Sequence, residues 1–178
     1  TLFAYVKSRL QRGELEGLEA LCQTRLALFP SDVEVKALLG ELSWMRGDSA
    51  SLEALLEHLT HHPRAALFEL RLLVERQVSP ERRFERALEL LRERPGHPEL
   101  IERALEALFS TEALSEGFER LASQTPLERL EPQQLTLFAY LHLSLQEPER
   151  AAHALELLRG RPLREVHLER LSLACAAA

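Results

Sequence analysis

The chain has 178 residues and a formal net charge of −6, with 46% hydrophobic, 28% charged and only 6% aromatic residues. A chain of this length can bury a continuous core, but its acidic balance opposes binding to a phosphate backbone, which needs surplus lysine and arginine on one face. Stretches such as ERRFERALELLRER (81–94) interleave arginine with glutamate, as a solvated helix surface does, and no apolar run approaches the ~20 residues of a membrane span.

Abundant Leu, Ala, Glu and Arg favour helices, and the scarcity of Ile and Val argues against a sheet. Residues 2–12 (LFAYVKSRLQR) read as a first helix entered without a cap. Gly13 turns the chain, and Leu15, Leu18, Cys22 and Leu26 follow at helical spacing as far as Pro30. Ser31 and Glu34 have the Ser-x-x-Glu form of a capping box. The helix they open carries the stripe Val35, Leu39 and Leu42, and Gly47-Asp48 ends it. Its partner, about 49–60, carries Leu52, Leu55, Leu56 and Leu59.

A third hairpin spans 64–94, its first helix lined by Leu67, Leu70 and Val74. Ser79 as cap, with Pro80 at the first helical position, starts its second helix. In the fourth, about 98–124, Pro98 starts one helix and Ser110 or Thr111 caps the next. Thr125 and Glu128 predict a single helical turn before Pro132. A fifth hairpin follows at 132–145 and 148–160, and a last helix begins after Pro162 and ends in the apolar SLACAAA.

These elements recur at a fixed spacing. Gly13-Glu14 and Gly47-Asp48 stand 34 residues apart, and SPER (79–82) and EPER (147–150) stand 68 apart. ALELLRERP (87–95) and ALELLRGRP (154–162) match across 67 residues, close to twice the unit. A helical hairpin of this size cannot bury its apolar stripe alone, so it implies neighbours of the same kind on both sides. The segment 31–63, with Leu39-Gly40, the Gly47-Asp48 turn and the closing Pro63, resembles the tetratricopeptide repeat. It departs from that pattern at Ser43, where the family has an aromatic, and at Leu52, where it has a small residue. The first segment keeps Gly13 and Pro30 but places Leu18 at the helix crossing, and the fifth has Phe138-Ala139 and Ala151.

The resemblance implies an all-α fold: a right-handed α-α superhelix (solenoid) of about five helical hairpins plus a C-terminal helix. Its units are 1–30, 31–63, 64–95, 96–126 and 127–162, with the terminal helix at 163–178. An uncapped start and an apolar end lead us to expect a piece of a longer array, or a last helix covered by something else.

Motifs for catalysis are missing: no GxSxG, no phosphate-cradling glycine loop and no HExxH. His58 and His62 are spaced one helical turn apart beside His61, and two such imidazoles could share a metal. No nearby Cys or Asp completes a shell, and a helix C-terminus favours imidazolium without any metal. Cys22 and Cys175 have no CxxC partner, and Cys22 lies on an apolar stripe where a thiol acts as a small hydrophobe. We therefore expect no enzyme, no cofactor and no metal.

In the family that the chain resembles, the first helices of the hairpins line a concave groove. That register assigns to the groove Phe3 and Lys7 from the first unit, Glu34, Glu41 and Trp44 from the second, and Phe68, Leu72 and Glu75 from the third. Glu102, Glu106 and Phe109 follow from the fourth, and Thr136 and Tyr140 from the fifth. At 100° per residue Trp44 lies opposite Val35, off the main core stripe. It is therefore either wedged between hairpins, the favoured reading, or presented as an anchor; Phe68 and Tyr140 share the ambiguity. Chaperone-type tetratricopeptide domains clamp a C-terminal carboxylate with basic groups, whereas the matching positions here are Phe3, Lys7, Leu38, Glu41, Ala65 and Glu69. An acidic tail would meet repulsion there.

The expected role is a non-catalytic docking scaffold for another protein or peptide, basic or amphipathic, with self-association as a further expectation. The alternatives are a peptide- or ligand-sensing regulatory domain and the non-catalytic part of a multidomain enzyme. Only Lys7 and Lys36 are lysines and asparagine is absent, which points to the codon bias of a GC-rich bacterial genome. Bacterial arrays that resemble this one imply envelope-assembly, pilus or polysaccharide-export machinery. Neither nucleic acid nor direct membrane insertion is expected. Bacterial cytoplasm and periplasm stay equally open, since a chain starting at Thr1 could have lost a leader.

Overall fold

The computed structural model describes residues 2–159, with side chains from Ala4 onward. Among the described residues the chain is all-helical, with ten α-helices, one 3-10 turn and no strand. It divides between Val78 and Ser79 into two units, inside the 64–95 span that the sequence reads as one hairpin. The expected terminal helix at 163–178, with Cys175, lies outside the described residues.

The first unit holds α1 (Leu2–Gln11), α2 (Leu18–Leu28), α3 (Val33–Arg46), α4 (Ser49–Leu56) and α5 (Ala65–Glu75). The central helix α3 packs on α2 and α4, its neighbours in sequence, and also on α1 and α5, one helix further away each way. Two apolar clusters follow from this. Val6, Leu10, Leu18, Cys22, Val35, Leu38 and Leu42 join α1, α2 and α3. Ala37, Leu52, Leu59, Phe68 and Leu72 join the other side of α3 to α4 and α5. Each leucine taken from water in this way contributes about 1.5–3 kcal/mol. Cys22 is buried as the sequence predicts, and burial pushes its thiol above the usual range.

Three boundaries move from their expected places. α2 begins at Leu18 because Gly17 adopts φ 73°, so Leu15 precedes the helix. Asp32 rather than Ser31 caps α3, its Oδ1 accepting from the Val35 amide at 3.3 Å. This shift of one residue takes Glu34 out of the capping-box position. α4 stops at Leu56, and 57–63 continue as tight turns in which each of the His58, Leu59 and His62 amides donates three residues back. His58 and His62 are therefore not partners on one helix. Val74 also leaves the expected stripe and is exposed, since α5 buries Ala66, Leu67, Phe68, Leu70 and Leu72 instead.

The second unit holds α6 (Pro80–Glu93), α7 (Pro98–Leu108), α8 (Leu114–Gln124), the 3-10 turn (Leu127–Arg129), α9 (Pro132–Ser144) and α10 (Pro148–Leu158). Ser79 caps α6 as predicted, its hydroxyl accepting from the Arg82 amide. Phe84, Ala87, Leu88 and Leu91 form a buried face at helical spacing, Leu90 is buried beside them, and after Pro80 the other positions are arginines and glutamates. α6 packs on α7 and also on α8, and α9 packs on α10. Ser110 and Thr111 do not cap α8. Their hydroxyls donate back to Glu106 and Leu108 at the end of α7, and α8 starts three residues beyond Thr111 at Leu114 with no side-chain cap.

One bend recurs. After α1, α3, α5 and α9, a residue in the left-handed region donates its amide three residues back while the next amide reaches five back. The pairs are Gly13/Glu14, Gly47/Asp48, Gln77/Val78 and Gln146/Glu147, with φ of 72°, 71°, 54° and 60° at the first residue of each. This double bond is the Schellman stop, which satisfies carbonyls that a helix end leaves open. Asp48, Ser79 and Glu147 then stand at the start of the following helix.

Candidate functional site

The residues assigned to a groove do not share one fate. In the first unit Lys7 and Glu34 are exposed, and the side chain of Phe3 lies outside those described. Glu34 faces the buried His62, Oε2 to Nε2 at 3.4 Å, and the other ring nitrogen accepts from the Arg64 amide at 3.2 Å. Glu41 is half-buried in an ion pair with Arg64, and Glu75 pairs with Arg71 at 2.7 Å one turn away. Trp44 is wedged: its ring meets Phe68 edge-on at 6.0 Å, with the Arg71 guanidinium 5.9 Å from its centre.

Phe68 and Leu72 must be withdrawn from any binding surface, being only 1% and 4% exposed. The cause is Gly40. A Cβ there would stand 2.6 Å from Phe68 Cε2, so the absent side chain of α3 lets the α5 ring sink against its backbone.

In the second unit Glu102, Glu106 and Phe109 are exposed, and with Glu99 they follow one another along a single face of α7. Arg103 on the same helix pairs with Glu106 at 2.5 Å, so the face stays acidic overall. Tyr140 is 47% exposed on α9. Thr136 is buried and must also be withdrawn, its hydroxyl donating to the Pro132 carbonyl at 2.8 Å. The starts of α7 and α9 are tied together by the Gln134 amide, which donates to the Pro98 carbonyl at 2.7 Å.

A second constellation in this unit escapes sequence reasoning. His142 on α9 is 2% exposed, its ring edge-on to Phe118 of α8 at 4.8 Å. Its Nδ1 lies 2.7 Å from Glu147 Oε2. The bond from His142, helped by Arg150, holds the Glu147 carboxyl below its ordinary range, so an ionised carboxylate receives the imidazole N–H. His142 floors a cleft of about 660 Å³, with Glu119 and Ser123 of α8 on one side and Glu149, Arg150 and His153 of α10 on the other. The readable signal was a histidine five residues before a glutamate across a left-handed bend, where the Glu147 amide also bonds the His142 carbonyl.

Among the described residues no group of three or more His, Cys, Asp and Glu side chains is placed to hold a metal, and no helix is long and apolar enough to cross a membrane. No protein-family model, no curated protein and no solved structure matches this chain.

Proposed function

We propose that the protein is a divergent helical repeat of tetratricopeptide type that docks a partner protein or peptide, without catalysis, on the exposed faces of its first-position helices. The observation that carries the reading is the recurring bend. The same left-handed stop, with the same two bonds, follows α1, α3, α5 and α9, which open the first, second, third and fifth expected hairpins. Support also comes from packing between alternate helices: α1, α3 and α5 in the first unit, α6 and α8 in the second. Stacked hairpins bury their apolar sides in this way.

The surface that fits docking best is the acidic face of α7 with Phe109 at its end and Tyr140 exposed on α9. Its charge suits a basic amphipathic segment, and aromatic anchors dominate such interfaces. A series of basic amphipathic peptides titrated by fluorescence anisotropy tests this. The double charge reversal Glu102→Lys with Glu106→Lys is expected to weaken binding by roughly tenfold or more at low salt. Equal affinity for the reversed and original proteins would overturn the reading. The cleft floored by His142 favours a second reading, ligand sensing, because it has the size of a small-molecule site.

A further inference from the structure

We propose that the cleft between α8 and α10 binds a cationic nitrogen group, a guanidinium or a primary ammonium, with His142 Nε2 as the acceptor at its floor. The proposal concerns a different face from the docking surface on α7 and does not rest on it.

The carboxylate of Glu147 fixes the tautomer of His142. Glu147 is kept ionised, so it can only accept, and Nδ1 of His142 must carry the proton. In the neutral ring that leaves Nε2 as a lone-pair acceptor: the bond that His142 makes among the described residues is at Nδ1, and Nε2, which is not sealed off from the surface, opens onto the cleft that the ring lines. An acceptor that meets the outside only through the cleft, on a residue 2% exposed, is matched by an N–H donor from whatever enters.

The walls ask for the same thing. Glu119, Glu147 and Glu149 bring three carboxylates, while the single guanidinium, Arg150, already lies 3.2 and 3.3 Å from the two Glu147 oxygens. The Ser123 hydroxyl spends its hydrogen on the Arg120 carbonyl at 2.8 Å, so it too meets an incoming ligand as an acceptor. A lining of acceptors with surplus negative charge repels phosphate and carboxylate ligands and matches a cation with several N–H bonds. Ala122 and Leu127 add apolar lining that suits an alkyl stem.

Such a group has two sources, the arginine or lysine side chain of another protein, or a free amine such as a polyamine. The test uses the full chain labelled with ¹⁵N and three probes: methylguanidinium, spermidine, and an amidated Gly-Arg-Gly peptide with a blocked N-terminus. Methylguanidinium is expected to move the His142 Nε2 resonance saturably, along with the amides of Ser123, Glu147 and Arg150. The peptide binding more tightly than spermidine identifies a side chain as the source, and the reverse order identifies a free amine. The double change Glu119→Gln with Glu149→Gln, at two exposed positions that leave the packing intact, is expected to weaken binding by about tenfold. His142→Gln should abolish the saturable component. An Nε2 resonance unmoved by all three probes would overturn the proposal, as would binding indifferent to the Glu119 and Glu149 changes.

Discussion

Gly40 decides more than any other single residue in the first unit. Because it lacks a Cβ, Phe68 closes on the α3 backbone, Trp44 packs edge-on against Phe68, and Leu72 is buried in the same cluster. Gly40→Ala gains helix propensity of about 1 kcal/mol but forces a rigid buried ring to move, an overpacking cost of about 1–3 kcal/mol. We expect a net loss of stability in urea titration, reversed when Phe68→Leu is added. The same logic separates aromatics that a helical wheel treats alike. Phe68→Ala should cost about 3–5 kcal/mol. Phe109→Ala and Tyr140→Ala, both nearly half exposed, should stay within about 0.5 kcal/mol of the parent. Both of the latter should nevertheless weaken partner binding. Leu39-Gly40 stood out in the sequence through its resemblance to a repeat pattern. What the glycine admits was not legible there, because the ring that fills the space lies 28 positions away at Phe68.

At the scale of elements, the bends explain why the period could be read at all. Gly13 and Gly47 announce a left-handed stop by residue type, and Gln77 and Gln146 adopt the same geometry without doing so. A residue with a Cβ in that region carries strain of about 1–2 kcal/mol. Gln77→Gly and Gln146→Gly are therefore expected to stabilise the protein, by about 0.5–1 kcal/mol each once the greater freedom of glycine in the unfolded chain is counted. A lower melting temperature for both variants would refute the strain. Caps were legible where proline reinforced them: Ser79-Pro80 stands as predicted, and Ser79→Ala should cost about 1 kcal/mol. Ser110→Ala should cost less, because that hydroxyl only bonds back into the end of α7. Asp32 was missed in favour of Ser31 because adjacent residues both make good caps, and only the path of the backbone chooses between them.

For the whole molecule, acid is the informative probe. Hydrogen bonds from Ser51, Arg76, Arg120 and His142 lead the causes that hold Asp48, Glu53, Glu85 and Glu147 below their ordinary range, and backbone bonding does so for Glu81. A carboxyl depressed in the folded state binds fewer protons than in the unfolded chain. Its contribution is fully present above the unfolded value, near 4.3 for glutamate, and is lost as pH falls through the folded one. These groups occur in both units, so melting temperature should hold steady from neutral pH to about 5 and then fall as the carboxylates protonate. Replacing Glu85, held by two bonds of 2.5 and 2.6 Å from Arg120, with glutamine should flatten part of that fall. An unchanged slope would remove this pair from the account.

Glu147 has three employments, and they are inseparable. Its carboxylate grips the imidazole of His142, its amide bonds the carbonyl of the same histidine, and its own carbonyl receives the Ala151 amide that begins α10. The imidazole and the first turn of the next helix are thus held by one and the same residue. Glu147→Ala would therefore free the ring of His142 from its carboxylate partner while leaving the bend tied to the eleven-residue rod by backbone bonds alone.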